Sequence, residues 1–360
     1  MKVYYDFQIL SLQKYGGISR YFFELINGIR ALGAEANINC LHSRNYYFKD
    51  LIKIYDTSKN NNIINTIDLR LFRQLNRIRA LMDMRKGYDI IHPTYYSPYM
   101  LGRHRGKLVI TVYDMIQEKF GGRSRVADVK SKMLHAADHI IAISENTKKD
   151  VLDIYPDIKA EKVSVIYLAS SMTVHENSGT NPLGRPYVLF VGGRNWYKNF
   201  VRFAKAMRPI LKTHPDLCVF CVGGGGVLSV EELNAVEGIT DRFYFSPLDD
   251  NALANAYKHA ECFVFPSEYE GFGIPVLESF ACSCPLVCSN SSSFPEVAGD
   301  AAEYVDPYDV DDMSAKILRV IEDTDLREQL KALGRERLKQ FSWNKTAQQT
   351  LECYSMLIGQ

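Results

Sequence analysis

Along the chain, one pattern of apolar and polar positions repeats: a short apolar run, a turn carrying glycine or proline, then apolar residues at helical spacing. Residues 2–10, KVYYDFQIL, read as a first strand. A glycine turn at Gly16 and Gly17 follows, with Ser19 as a candidate helix cap. Tyr21, Phe22, Leu25, Ile26 and Ile29 then recur on one helical face until Gly33. Further strands are YDIIH, ending at His92 and Pro93, and KLVITV, ending at Tyr113 and Asp114. HIIAI leads into a helix capped by Ser144, and VSVIYLA closes the half. Residues 171–186 have no apolar period and are rich in Ser, Asn, Gly and Pro, which predicts a linker. The pattern then restarts with YVLFVGG, DLCVFCVGGGG, RFYFS, CFVF and PLVCS, each followed by a helical stretch. Strand–helix alternation in both halves predicts an α/β fold of two doubly wound, Rossmann-like domains.

One stretch has a different character. In RLFRQLNRIRALMDMRK, Leu71, Leu75, Ile78 and Met82 share a helical face, flanked by Arg70, Arg73, Arg77 and Arg79. Such a helix either packs that face into a core or lays it on an anionic membrane surface.

The most informative stretch is Phe263 to Phe280, FVFPSEYEGFGIPVLESF. An apolar strand stops at Pro266 and Ser267, turns through Gly271 and Gly273, and restarts as a helix with Pro275 in its first turn. Strand, glycine loop and helix N-terminus together make an anion site, because free N–H groups and the helix dipole converge there. Phosphate suits it. Glu270 and Glu278 flank the turn; like charge bars them from binding the phosphate, but carboxylates accept well from sugar hydroxyls. Phosphate beside polyol suggests a nucleotide sugar. Arg194 and Lys198, four residues apart at the start of another helix, are spaced to converge on one anion.

The motifs SEYEGFGIPVLES, SFPEVAG and YVDP resemble the C-terminal signature of retaining glycosyltransferases of family 4, which have the GT-B architecture. The resemblance implies that the domains, residues 1–170 and 187–340, face each other across a cleft, the first binding acceptor and the second the nucleotide sugar. Residues 341–360 would cross back onto the first domain. It further implies that Arg194 and Lys198 bind the donor diphosphate, Glu270 holds the sugar hydroxyls and Glu278 the ribose. Backbone groups of Gly16, Gly17, Gly271, Phe272, Gly273 and Ile274 would approach the donor. His92, Tyr113 and Asp114, at the carboxyl ends of two strands, are candidates for contact with acceptor or donor sugar. Many members carry histidine where this chain has Tyr113, a departure from the pattern. The implied reaction moves a hexose such as mannose, rhamnose or glucose to a saccharide acceptor, lipid-linked in surface polysaccharide or O-antigen synthesis. Retention, no cofactor and no metal follow from the same resemblance. Rival readings are a nucleotide-sugar epimerase on this architecture and an inactive scaffold that binds polysaccharide.

Composition changes this picture little. The 360 residues, 46% apolar and 24% charged, are those of an ordinary globular protein. No run of eighteen apolar residues occurs and the chain opens directly on a strand, so a cytoplasmic protein without span or leader is expected, peripheral at most on the inner membrane face. The net charge of +1 conceals a basic first half, 26 Lys+Arg against 18 Asp+Glu in residues 1–180, and an acidic second half, 17 against 24. That bias favours a phosphate-bearing acceptor or an anionic membrane near the first half, with no nucleic-acid partner. Eight cysteines lie mostly in apolar runs, as core thiols do, and Cys218 and Cys221 on one strand point to opposite faces. Asp309 and Asp311 form a DxD that reads as the acidic start of a helix rather than a metal site.

Overall fold

The structure, a computed structural model, describes residues 1–40, 43, 45–47, 69–121, 124–173, 179–194 and 196–359. Residues 48–68 and residues 174–178 of the expected linker lie outside the described residues, as does the Arg70 side chain. Two compact units are present: Met1–Leu168 with Trp343–Gln360, and Ala169–Ser342.

In the first unit a parallel sheet has the order β2-β1-β3-β4-β5-β6. Its strands are β1 (Lys2–Tyr5), β2 (Glu35–Ile38), β3 (Ile90–His92), β4 (Lys107–Val112), β5 (His139–Ala142) and β6 (Val163–Val165). All-apolar runs such as Ile140 to Ala142 are buried on both faces because helices cover the sheet. The first strand is shorter than its apolar pattern predicts. It ends at Tyr5, and a helix α1 (Gln8–Leu12) follows. The Asp6 carboxylate accepts from Gln8 N and the Thr94 hydroxyl from Ile9 N, which turns the backbone out of the extended form. The next helix, α2 (Gly17–Ala31), is capped by Gly16, not Ser19, whose hydroxyl instead donates to Gly16 O at 2.9 Å. A Cβ on Gly16 would meet the end of the Gln13 side chain at 2.4 Å, so a larger residue there displaces that amide.

Helix α3 (Leu69–Asp83) is inverted relative to a core-packed helix. Leu71, Leu75, Ile78 and Met82 are 50, 38, 55 and 59% exposed, whereas Asn76, Ala80 and Asp83 are buried. Burial of the polar face is possible because its groups are partnered. Asp83 takes Asn39 at 2.8 Å and Arg79 at 2.9 Å and pairs with Lys86, and Asn76 donates to Cys40 Sγ. The apolar stripe is left in the open.

After β4 come α4 (Ile116–Phe120) and α5 (Arg125–Ala136); after β5 comes α6 (Glu145–Ile154), capped by Ser144 Oγ from Thr147 N as expected. The second unit repeats the scheme with strand order β12-β11-β10-β7-β8-β9. The strands are β7 (Tyr187–Val191), β8 (Cys218–Val222), β9 (Phe243–Ser246), β10 (Cys262–Phe265), β11 (Leu286–Ser289) and β12 (Glu303–Val305). Between them lie α7 (Phe200–Thr213), α8 (Val230–Val236), α9 (Asp250–His259), α10 (Ile274–Ala281) and α11 (Phe294–Ala298). Beyond β12 come α12 (Val310–Glu322) and α13 (Thr324–Leu338). Phe200, Phe203, Ala204 and Met207 bury one face of α7, with Phe203 stacked on Phe190.

The last helix, α14 (Trp343–Ile358), belongs to the first unit. It packs on α2 so tightly that a Cβ on Gly28 would come within 2.5 Å of Ala347 Cβ. All eight cysteines are free, and Asp309 Oδ1 caps α12 by accepting from Asp311 N and Asp312 N. Among the described residues no helix is long and apolar enough to cross a membrane, and no group of acidic, His and Cys side chains is arranged to hold a metal.

Candidate functional site

In the second unit the chain runs from β7 outward through β8 and β9, then returns to the other side of β7 at β10. The loops leaving β7 and β10 therefore diverge at their carboxyl ends and open a crevice, the place where open α/β sheets bind ligands. Lys198 stands on the first of these loops and Glu270 on the second. Their side chains meet there, Lys198 Nζ to Glu270 Oε1 at 2.6 Å, 17 and 13% exposed. Most of both charges is out of water, so neither group is solvated without the other.

The scaffold around this pair is dense in specific bonds. Asn199, buried in the left-handed region at φ 60°, donates through Nδ2 to Pro266 O at 3.0 Å and Pro307 O at 2.6 Å. The two loops are thereby tied. Glu268 N donates to Tyr197 O, and Arg202 pairs with the Glu268 carboxylate at 2.6 Å. Behind Glu270, its N–H donates to Ser292 Oγ while Ser293 Oγ donates to its carbonyl, both at 3.0 Å. Gly273, at φ 89°, caps α10; no side chain caps that first turn. Gly271, Phe272 and Gly273 are buried, and the Phe272 ring packs edge-on against Phe341. Ile274 opens the helix, and Glu278, one turn on, accepts from the Tyr257 hydroxyl at 3.3 Å.

Arg194 engages partners different from those of Lys198. Its guanidinium, 5% exposed, donates to Glu232 Oε1 at 2.9 Å and to the carbonyls of Gly225 and Val227 at 2.7 Å. Glu232 also completes a capping box with Ser229 at the start of α8. Arg194 thus moulds the glycine turn, whose Gly223, Gly224 and Gly225 all have positive φ. Gly223 lies against Gly192: a Cβ there would meet Gly192 O at 3.1 Å.

In the first unit the candidates separate. Gly16 and Gly17 stand at the N-terminus of α2, beyond α1. Asp114, just past β4, keeps a part-exposed carboxylate whose Oδ1 accepts from Ile116 N, and its carbonyl takes the buried Lys130 ammonium at 2.9 Å. Tyr113 packs among Tyr21, Phe22 and Tyr96, and its buried hydroxyl has no hydrogen-bond partner among the described residues. Burial raises its pKa well above the usual phenol value.

His92 is not a contact residue for sugar. It is wholly buried, with Nδ1 2.5 Å from the Tyr354 hydroxyl and Nε2 2.8 Å from Thr111 Oγ1, and burial lowers its pKa to about 3. Both ring nitrogens are used inside the unit. His92 ends β3 with the next two residues, Pro93 and Thr94, still buried, and α14 brings Tyr354 over the ring.

Comparison with known proteins shows the family. The model described as "Glycosyl transferases group 1" matches residues 171–337, and that described as "Glycosyltransferase Family 4" matches 15–169. An alpha-maltose-1-phosphate synthase of Mycolicibacterium smegmatis is 30% identical over 66% of this chain and 68% of its own length. The chain belongs to the family 4, group 1 glycosyltransferases.

The O-antigen chain mannosyltransferase B of Escherichia coli is 27% identical to this glycosyltransferase over 95% of the chain and 96% of the relative. Its GT-B fold is shared with sucrose-phosphate synthase from Thermosynechococcus elongatus, at a TM-score of 0.75 and 19% identity over 99% and 98% of the two chains. Anabaena HepE, solved with UDP-glucose, gives 0.71 at 18% over 99% and 100%. Several residues that shape the glycosyltransferase's crevice escaped the motif reading: Glu232, Glu268, Arg202 and Ser292. Asn199 directly follows Lys198 and so carries a local signal, whereas these four carry none, because each acts through a partner distant in sequence.

Proposed function

We propose that this glycosyltransferase moves a hexose, mannose before others, from a nucleoside-diphosphate sugar to a saccharide acceptor in surface-polysaccharide assembly. The Lys198–Glu270 pair at the carboxyl ends of β7 and β10 carries the reading. A donor entering this crevice brings a diphosphate, which suits Lys198, and sugar hydroxyls, which suit Glu270. Glu278 takes the ribose hydroxyls, and the uncapped first turn of α10 faces its dipole to the phosphates. In the transfer step the anomeric carbon–phosphate oxygen bond breaks as the acceptor oxygen bonds to that carbon. Lys198 and backbone N–H groups stabilise the charge that grows on the leaving diphosphate, the interaction that matters most in such a transition state. The leaving phosphate takes the acceptor's proton on the face from which it departs, so configuration is retained. Arg194 supports this from behind, by holding the glycine turn at 223–227.

The choice of mannose follows the full-length E. coli relative, named an O-antigen chain mannosyltransferase. A peripheral place on an anionic membrane follows the open stripe of α3, since each basic residue near such a surface contributes about 1 kcal/mol. The experiment is transfer from a panel of labelled nucleotide sugars to membrane-extracted acceptors, with the anomeric configuration of the product read by NMR. A product of inverted configuration, or donor conversion to an epimer with no transfer, overturns the reading.

A further inference from the structure

The first unit has a switch point of its own. Strands β2 and β3 flank β1 on opposite sides, so the segments leaving β1 and β3 diverge just as those leaving β7 and β10 do. A cavity of about 520 Å³ opens there, within the roughly 300–1,000 Å³ of small-molecule sites. Phe7 from the segment after β1 and Tyr96 and Tyr99 from the segment after β3 line it, and Arg73 and Arg77 from α3 and Arg125 from α5 supply its charge. Among the described residues no acidic side chain lines it. The carboxylate that braces its lining, Asp6, is wholly buried and accepts from Gln8, Thr94 and the Tyr99 hydroxyl.

Three guanidinium groups without a counter-charge are unusual. Among the described residues Arg73 and Arg125 have no hydrogen-bond or ion-pair partner, and Arg77 has only the Tyr99 ring, at 5.7 Å. Mutual repulsion of such cations is relieved by an anion, and planar guanidinium groups suit phosphate oxygens above other partners. The open stripe of Leu71, Leu75, Ile78 and Met82 lies on the same helix as two of them. One molecule would satisfy both features: an amphiphile with a phosphate head and an apolar tail.

We infer that this cavity binds the phosphate or diphosphate of a lipid-linked saccharide acceptor, with Arg73, Arg77 and Arg125 on the phosphate and the tail along α3. The inference rests on the transfer reading above, whose acceptor it specifies. A bilayer phospholipid offers a phosphate too, but its headgroup stays in the plane of the membrane, while the cavity is set into the sheet's carboxyl end between segments from four elements.

The test uses the full chain, with farnesyl diphosphate, inorganic pyrophosphate and phosphatidylcholine vesicles with or without phosphatidylglycerol as probes. Farnesyl diphosphate should bind more tightly than pyrophosphate. Arg77→Gln and Arg125→Gln, on different helices so that a fold defect in one does not decide the matter, should each weaken it about tenfold or more. Binding to nucleoside diphosphates, which belongs to the second unit, should be unchanged in both. Equal farnesyl diphosphate binding by wild type and both variants overturns the inference. So does an Arg125→Gln loss confined to phosphatidylglycerol vesicles, which would assign the arginines to the bilayer. Failure of farnesyl diphosphate to bind while nucleotide binds sinks this inference alone. Binding of farnesyl diphosphate with no nucleotide binding sinks the transfer reading instead.

Discussion

Lowering the pH should destabilise the first unit through His92, and by an amount that the structure sets. The ring is wholly buried and neutral, with burial lowering its pKa from the ordinary 6.5 to about 3. At pH 7 the histidine is neutral in the folded chain and about three-quarters neutral in the unfolded one, so its contribution there is small. Below about 6.5 the unfolded chain takes a proton that the folded one refuses, so stability falls as pH falls, down to about pH 3. At 1.36 kcal/mol per unit, the penalty grows to about 2 kcal/mol at pH 5 and approaches about 5 kcal/mol near pH 3. Urea denaturation of the wild type and His92→Gln at pH 7 and pH 5 isolates this contribution from other titrating groups. Trp343, packed 6.3 Å from Tyr21, reports on the unit in a Trp196→Phe background. The wild type should lose about 2 kcal/mol more than the variant between the two pH values. Equal losses would mean that the folded ring takes up a proton in this range, and would restore His92 as a candidate for contact with sugar.

Other consequences are as direct. Gly28→Ala places a methyl 2.5 Å from Ala347 Cβ, so it should cost about 1–3 kcal/mol, and Gly28→Ala with Ala347→Gly should recover most of that in thermal unfolding. Removing either member of the Lys198–Glu270 pair strands the other in a crevice that excludes most water. The double variant Lys198→Met, Glu270→Gln should therefore be more stable than the sum of the singles predicts, with coupling of about 1 kcal/mol or more; strict additivity would contradict the pairing. Leu75→Ser with Ile78→Ser should leave unfolding almost unchanged, because both side chains are already exposed, yet reduce cosedimentation with anionic vesicles. Unchanged cosedimentation would separate the stripe from any membrane role.

Much of the architecture is legible in the sequence because its causes are local. Runs such as YVLFV and CVFCV are buried on both faces and carry no polar residue, and helices such as α7 show their buried face at helical spacing. Lys198 and Glu270 are legible because each sits where an apolar run meets a glycine turn. Features that sequence alone obscures depend on distant partners. The early end of β1 depends on Asp6 and Thr94, 88 residues apart. His92 looks like a strand-end site residue until Tyr354, 262 residues on, closes over it. Arg194 looks available to a phosphate until Glu232, 38 residues on, engages it. Helix α3 shows an apolar stripe in the sequence, but the side it turns to the sheet is set by the partners of Asn76 and Asp83.

The central claim is that a nucleoside diphosphate sits at the β7–β10 crevice and is held by Lys198. Thermal unfolding of the purified chain with GDP, UDP, ADP, CMP and dTDP, in wild type and Lys198→Met, tests it most directly. A ligand at 100 times its dissociation constant adds about 2.7 kcal/mol, enough to move the transition by several degrees. A clear shift with one nucleoside diphosphate is expected, and it should shrink in Lys198→Met. No shift with any of them, or an equal shift in the variant, would contradict it.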